Sequence, residues 1–124
     1  MSLLLVVDDD ASTLDTLSRM LRLEGYTVVT APDTDAALRV VDSSRPDAIL
    51  LDLHMPLRDG LVFLRTLRGL EQTRDLPAAV ITGDYFVPDT ITEELRELHA
   101  ELCFKPIWLA DLLAVVERLL HRTA

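Results

Sequence analysis

"LLLVVDDD", residues 3–10, decides the architecture. Five apolar residues run without interruption and end on three carboxylates, Asp8, Asp9 and Asp10. A run this short and continuous is the pattern of a strand buried on both faces; a strand with one wet face would alternate. Neighbouring carboxylates repel one another. A buried strand that ends on three of them calls for a positive partner close by.

The same pattern recurs along the chain. After the first run, Leu14, Leu17 and Leu21 fall at helical spacing and Gly25 stands where a helix would close. Residues 26–31, "YTVVTA", are β-branched and strand-like, and Pro32 breaks them. A helix is predicted over 33–43, with Ala36, Ala37, Val40 and Val41 inward. "DAILLD", residues 47–52, is a third strand. Helical periodicity returns over 60–70 at Leu61, Leu64 and Leu67. "PAAVITGD", residues 77–84, holds a fourth strand. Thr90 and Glu93 have capping-box spacing for a helix through Leu95 and Leu98. "ELCFK", residues 101–105, is a short fifth strand. From Trp108 to Leu120, a stripe of Leu109, Leu112, Leu113, Val116 and Leu120 closes the pattern. Trp108 and Val115 are read as another face, either packed near Pro106 or open to a partner.

Five strand–helix units in strict alternation predict an α/β fold, a parallel sheet covered on both faces. The expected form is a doubly wound, flavodoxin-like three-layer sandwich with strand order 2-1-3-4-5. The 124 residues suit one domain, 1–124. Twelve basic residues against 21 acidic ones give a net charge of −9, which opposes direct nucleic-acid binding and favours cations. One cysteine, Cys103, excludes an internal disulfide and is read as a small buried strand residue. No apolar run is long enough for a membrane span, and the start does not read as a signal peptide. The expectation is a cytoplasmic domain without a membrane partner.

Ligands of such sheets sit beyond the carboxyl ends of the strands. There the first strand delivers Asp8 and Asp9, the third Asp52, the fourth Thr82 and the fifth Lys105. The second ends on Ala31 and Pro32 and delivers nothing. Three carboxylates with one ammonium form an oxygen-rich set suited to a hard cation such as Mg²⁺. A carboxylate nucleophile with a metal, a hydroxyl and a lysine is the equipment of phosphoryl transfer. Asp10 fits a helix N-cap better than a ligand. His54, His99 and His121 lack the paired spacing of a metal site.

In these motifs the chain resembles the response-regulator receiver domain of two-component signalling, in its chemotaxis-regulator-like form. The resemblance runs from about Leu3 to Leu120. It rests on "VVDDD" (6–10), "LLDLHMPLRDG" (50–60), "VITGD" (80–84) and "FKP" (104–106), in this order and at these spacings. It implies that Asp52 accepts the phosphoryl group. It implies that Asp9 binds Mg²⁺ directly with help from Asp8, and that the backbone carbonyl of His54 adds a third protein ligand. Thr82 would hydrogen-bond the phosphoryl group and reorient, Lys105 would ion-pair with it, and Gly83 would leave the donor room. Pro106 would follow a cis peptide bond. The His54 and Asp84 side chains would tune dephosphorylation. The implied partners are a sensor histidine kinase or phosphotransfer protein, and a downstream protein of unknown identity. The face of helix 4, strand 5 and helix 5 would meet that protein or a second copy.

Two positions depart from the family. Leu102 replaces the usual aromatic three residues before the lysine, with Phe104 the nearby aromatic. Leu98 and His99 replace the usual Gly-Ala. Other readings are weaker. An aspartate-nucleophile phosphatase would want a second acid at His54, and a nucleotide module would want a glycine-rich loop. A scaffold that is not phosphorylated would not need the full acidic set. These residues hold no attached output domain, which leaves a stand-alone receiver and a piece of a longer protein both open.

Overall fold

The computed structural model describes residues 2–53, 57–83 and 87–121, with backbone alone at 52, 53 and 57–59. Five strands and five helices alternate: β1 Leu3–Val7, α1 Ala11–Leu23, β2 Thr27–Ala31, α2 Thr34–Ser44, β3 Ala48–Leu53, α3 Leu57–Gly69, β4 Ala78–Thr82, α4 Asp89–Glu97, β5 Ala100–Phe104 and α5 Leu109–His121. All pairings are parallel, in the order β2-β1-β3-β4-β5. The expected fold is the observed one.

The continuous apolar runs are explained by two cores, one on each side of the sheet. Leu5, Val7, Ile49, Leu51, Ala78 and Val80 face one way and meet Ala37 and Val41 of α2, Leu61, Leu64 and Leu67 of α3, and Leu95 of α4. Leu4, Val6, Ala48, Leu50, Ala79 and Ile81 face the other way and meet Leu14, Leu17 and Leu21 of α1 and Leu112, Val116 and Leu119 of α5. Alternate residues of a strand point to opposite faces, so a strand buried on both must be apolar at every position.

Local chemistry sets several helix ends. Asp10 caps α1, its carboxylate accepting from the Ser12 N–H at 3.2 Å and the Thr13 hydroxyl at 2.7 Å. Asp33 caps α2 by accepting from the Ala36 N–H at 2.7 Å. Gly25 follows α1 with φ +96°, a conformation that glycine adopts without a Cβ penalty.

Four details differ from the sequence reading. Helix α3 begins at Leu57, three residues before the predicted start at 60. The capping box at Thr90 does not form. The helix begins one residue before Thr90, and Pro88 holds the cap position without a side-chain bond. Its carbonyl instead accepts from the N–H groups of Ile91 and Thr92. In α2, Ala37 and Val41 are buried, whereas Ala36 and Val40 are only partly so and Leu38 joins them at the core's edge. In α5 the buried residues are Leu112, Val115, Val116 and Leu119, while Leu109 is exposed and Leu113 and Leu120 are half-buried. Val115 is therefore a core residue and does not share a face with Trp108. Leucine and valine cover nearly half the circumference of α5, a wide arc within which periodicity alone allowed two overlapping stripes.

No described helix is long and apolar enough to cross a membrane.

Candidate functional site

The parallel register brings four strand ends to one rim. β1 and β3 pair up to Val7 and Leu51, so Asp8 and Asp52 each stand one residue beyond the last pair. β3 and β4 pair Asp52 with Ile81 and Leu53 with Thr82. β4 and β5 pair Thr82 with Phe104, and Lys105 follows at once. β2 lies on the edge. Its last residue contributes a backbone carbonyl, which accepts from the Asp8 N–H at 3.1 Å.

Asp8 has no exposed surface. Its Oδ1 accepts from the Asp10 N–H at 2.9 Å, which holds the carboxylate back over the start of α1. This is an Asx-turn arrangement, available to an Asp whose chain reverses two residues later. The sequence reading had Asp10 as a cap only; its amide also positions Asp8. Asp9 is exposed and does not cap the helix.

Thr82 is 2% exposed at the end of β4. Its carbonyl accepts from the Lys105 N–H at 2.8 Å, so the hydroxyl-bearing and ammonium-bearing residues are tied through backbone. Lys105 is half-buried, and the Lys105–Pro106 bond is cis, as the motif implied. Gly83 is exposed beside them. A Cβ there would meet the Lys105 Cδ at 3.8 Å, an ordinary contact. Position 83 therefore borders the Lys105 stem. His54 and Asp84 lie outside the described residues.

The donors fit a hard divalent ion on chemical grounds. Asp8 and Asp9 offer only oxygens, and a wholly buried carboxylate such as Asp8 is costly to keep ionised without positive charge. Among the described residues, no group of three or more His, Cys, Asp or Glu side chains forms a metal site.

Beside the rim, the end of β5 and the start of α5 expose apolar side chains. Phe104 is 50% exposed, Trp108 71% and Leu109 40%. Local packing near Pro106 is thus not what Trp108 does. Leu102, in contrast, packs against the core beneath α4. Cys103 is partly buried rather than fully so, and burial pushes its thiol up, with Glu101 adding to the effect and Arg118 opposing it. A raised thiol is a poor nucleophile, which agrees with a packing role. Arg118 donates to Glu101 at 2.9 Å across the same surface. The turn after α4 lacks glycine, and His99 takes φ +55° there.

Comparison with known proteins agrees with this geometry. A family model described as the response regulator receiver domain matches residues 4–117. The chain is 42% identical over 118 residues to the transcriptional regulatory protein PrrA of Mycobacterium tuberculosis, covering 95% of this chain and 49% of that protein. It is 42% identical over 123 residues to the response regulator MprA of the same species, covering 97% and 51%. The chain therefore spans about half the length of these regulators. The structure of the chemotaxis response regulator CheY4 of Vibrio cholerae superposes with a TM-score of 0.83 at 30% identity, over 96% of this chain and 98% of that one.

Proposed function

The chain belongs to the response regulator receiver domain family, a signalling domain of two-component systems, and from that premise we propose that it accepts a phosphoryl group on Asp52. The donor is a histidine kinase, a phosphotransfer protein or a small phosphodonor such as acetyl phosphate. One observation carries the reading: the strand order brings the ends of β1, β3, β4 and β5, with Asp8, Asp9, position 52, Thr82 and Lys105, to a single rim.

In the proposed reaction the Asp52 carboxylate attacks phosphorus. The bond from phosphorus to the donor's nitrogen or oxygen breaks, and its electron pair leaves with the donor. An aspartyl phosphate remains, formed by the protein's own nucleophile. Asp8, Asp9 and the carbonyl of His54 would hold Mg²⁺, together with Asp52. When bound, Mg²⁺ supplies charge that offsets the repulsion among carboxylates and phosphoryl oxygens. Thr82 donates its hydroxyl to a phosphoryl oxygen and Lys105 pairs with another. The hydrogen bond from Asp10 keeps Asp8 in place for this task. Gly83 leaves the donor space, and His54 and Asp84 tune the lifetime of the phosphoryl group.

Phosphorylation replaces a carboxylate with a group of higher charge beside Thr82 and Lys105. That change biases the face of α4, β5 and α5, which meets a downstream protein or a second copy. The reading includes a single domain over 1–124, a cytoplasmic location, and no direct contact with nucleic acid. In this role the protein turns over no foreign substrate.

Incubation with acetyl phosphate and Mg²⁺ is expected to add one phosphoryl group, seen as a mass shift in the intact protein. Asp52→Asn abolishes it, and chelation of the metal slows it strongly. Labelling that persists in Asp52→Asn overturns the assignment.

A further inference from the structure

A cavity of about 320 Å³ opens between α2, α3 and the 70–77 segment. Pro46, Asp47 and Pro77 line it, and they directly precede β3 and β4. It therefore lies at the amino ends of the strands, at the far end of the sheet from the phosphoryl-transfer rim. Its volume is at the small end of the ~300–1,000 Å³ common for ligand pockets.

The lining has two characters. Leu38, Val41, Leu67 and Leu76 form an apolar floor, and Leu70 stands at the mouth with half its surface exposed. Asp42, Asp47 and Asp75 line the rim together with Arg45, and Arg68 stands in the wall with its guanidinium turned onto backbone carbonyls. The mouth is also where α2 and α3 end, at Ser44 and Gly69. Helix C-termini carry partial negative charge; here Arg45 stands at the C-cap of α2 and Arg68 in the last turn of α3. Among the lining residues three carboxylates stand against one guanidinium, so the mouth is cation-seeking over an apolar floor.

The walls are held in advance. Arg68 Nη1 donates to the carbonyls of Thr73, Arg74 and Leu76, at 3.3, 3.1 and 2.7 Å. The Thr73 hydroxyl donates to the Leu67 carbonyl at 2.6 Å. Asp47 accepts from the Leu3 N–H at 2.7 Å, which ties its carboxylate to the amino end of β1. A cavity with fixed walls has little ordering to undergo when a ligand enters.

We propose that this cavity binds a small organic cation, an ammonium or amidinium carried on a compact aromatic or branched aliphatic body. The apolar body fills the floor between Val41, Leu67 and Leu76. The charge remains at the mouth among Asp42, Asp47 and Asp75. An anion of the same shape would meet three carboxylates. The site is separate from Asp52 and stands whether or not Asp52 accepts phosphate.

Titration of the whole chain with tryptamine, followed by amide NMR, tests this. Saturable shifts are expected at Val41, Arg45, Leu70 and Thr73. Indole-3-acetate, with the same ring and the opposite charge, should bind at least about tenfold more weakly. The double variant Asp42→Asn/Asp75→Asn should weaken tryptamine roughly three- to tenfold, since each rim charge acts near solvent. Gln72→Lys, which adds positive charge at the exposed rim and leaves every carboxylate in place, should weaken it in the same direction. Shifts confined to other regions, no saturation, equal binding of the two indoles, or unchanged affinity in both variants would each overturn the proposal.

Discussion

The start of α1 and the start of α4 are built on opposite principles. At α1 two aspartates of the turn have local roles: Asp10 caps the helix, and its amide holds Asp8. The helix then buries Leu14, Leu17, Ser18 and Leu21. At α4 a proline holds the cap position without a side-chain bond, and Leu95 is the single buried residue of the helix. Two side chains of α3 secure α4 from outside, Arg65 by pairing with Glu94 and Arg68 by donating to the Leu98 carbonyl at 2.7 Å. A site that must be rigid is determined by near neighbours. A helix on the proposed output side depends on a few long-range ties, which makes it the easier element to shift.

The largest expected effect is on the rigid side. Leu5→Ala, in the fully buried core of β1, should lower unfolding free energy by about 3–5 kcal/mol in a urea titration. Leu95→Ala should cost about 2–3 kcal/mol, because α4 can partly collapse onto β5. In that variant, amide exchange should accelerate in α4 well before it does in β1. Uniform acceleration would mean that α4 is as firmly integrated as α1.

The caps give the next step. Asp10→Ala should cost about 1 kcal/mol by removing the bonds to Ser12 and Thr13. Pro88→Ser should do the reverse and stabilise α4 by about 0.5–1 kcal/mol by supplying the missing cap. If both changes destabilise equally, the contrast between the two helix starts is wrong.

The smallest effect is electrostatic. The hydrogen bond from Arg65 holds the Glu94 carboxyl below its ordinary range. A depressed carboxyl contributes stability above its unfolded pKa and loses it as pH falls through the folded one. Thermal melts from neutral pH down into the acid range should therefore show a slightly steeper decline in the wild type than in Glu94→Gln. Both groups of this pair meet solvent, so salt should reduce the difference.

Much of this was legible beforehand, for identifiable reasons. Continuous apolar runs such as 3–7 and 48–51 leave only a strand buried on both sides, and their alternation with helices leaves few topologies. Asp10, Asp33 and Gly25 act within a few residues of themselves, so their roles can be read locally. Thr90 was misread because Thr-x-x-Glu marks a helix start only if the chain enters there, and the helix begins one residue before it. Val115 and Leu109 exchanged roles because the apolar arc of α5 is too wide for periodicity to choose its centre. The amide of Asp10 on Asp8 needed the turn geometry, not just the residue types.

The sequence by itself determined the alternation of strands and helices, the local caps, and which residue types stand at each strand end, because these depend on near neighbours and burial period. Only the tertiary structure decided the inward side of α5, the exposure of Trp108 and Phe104, and the cavity between α2 and α3. Those depend on how distant elements pack, and the free energy of packing belongs to the surfaces that meet rather than to either segment alone.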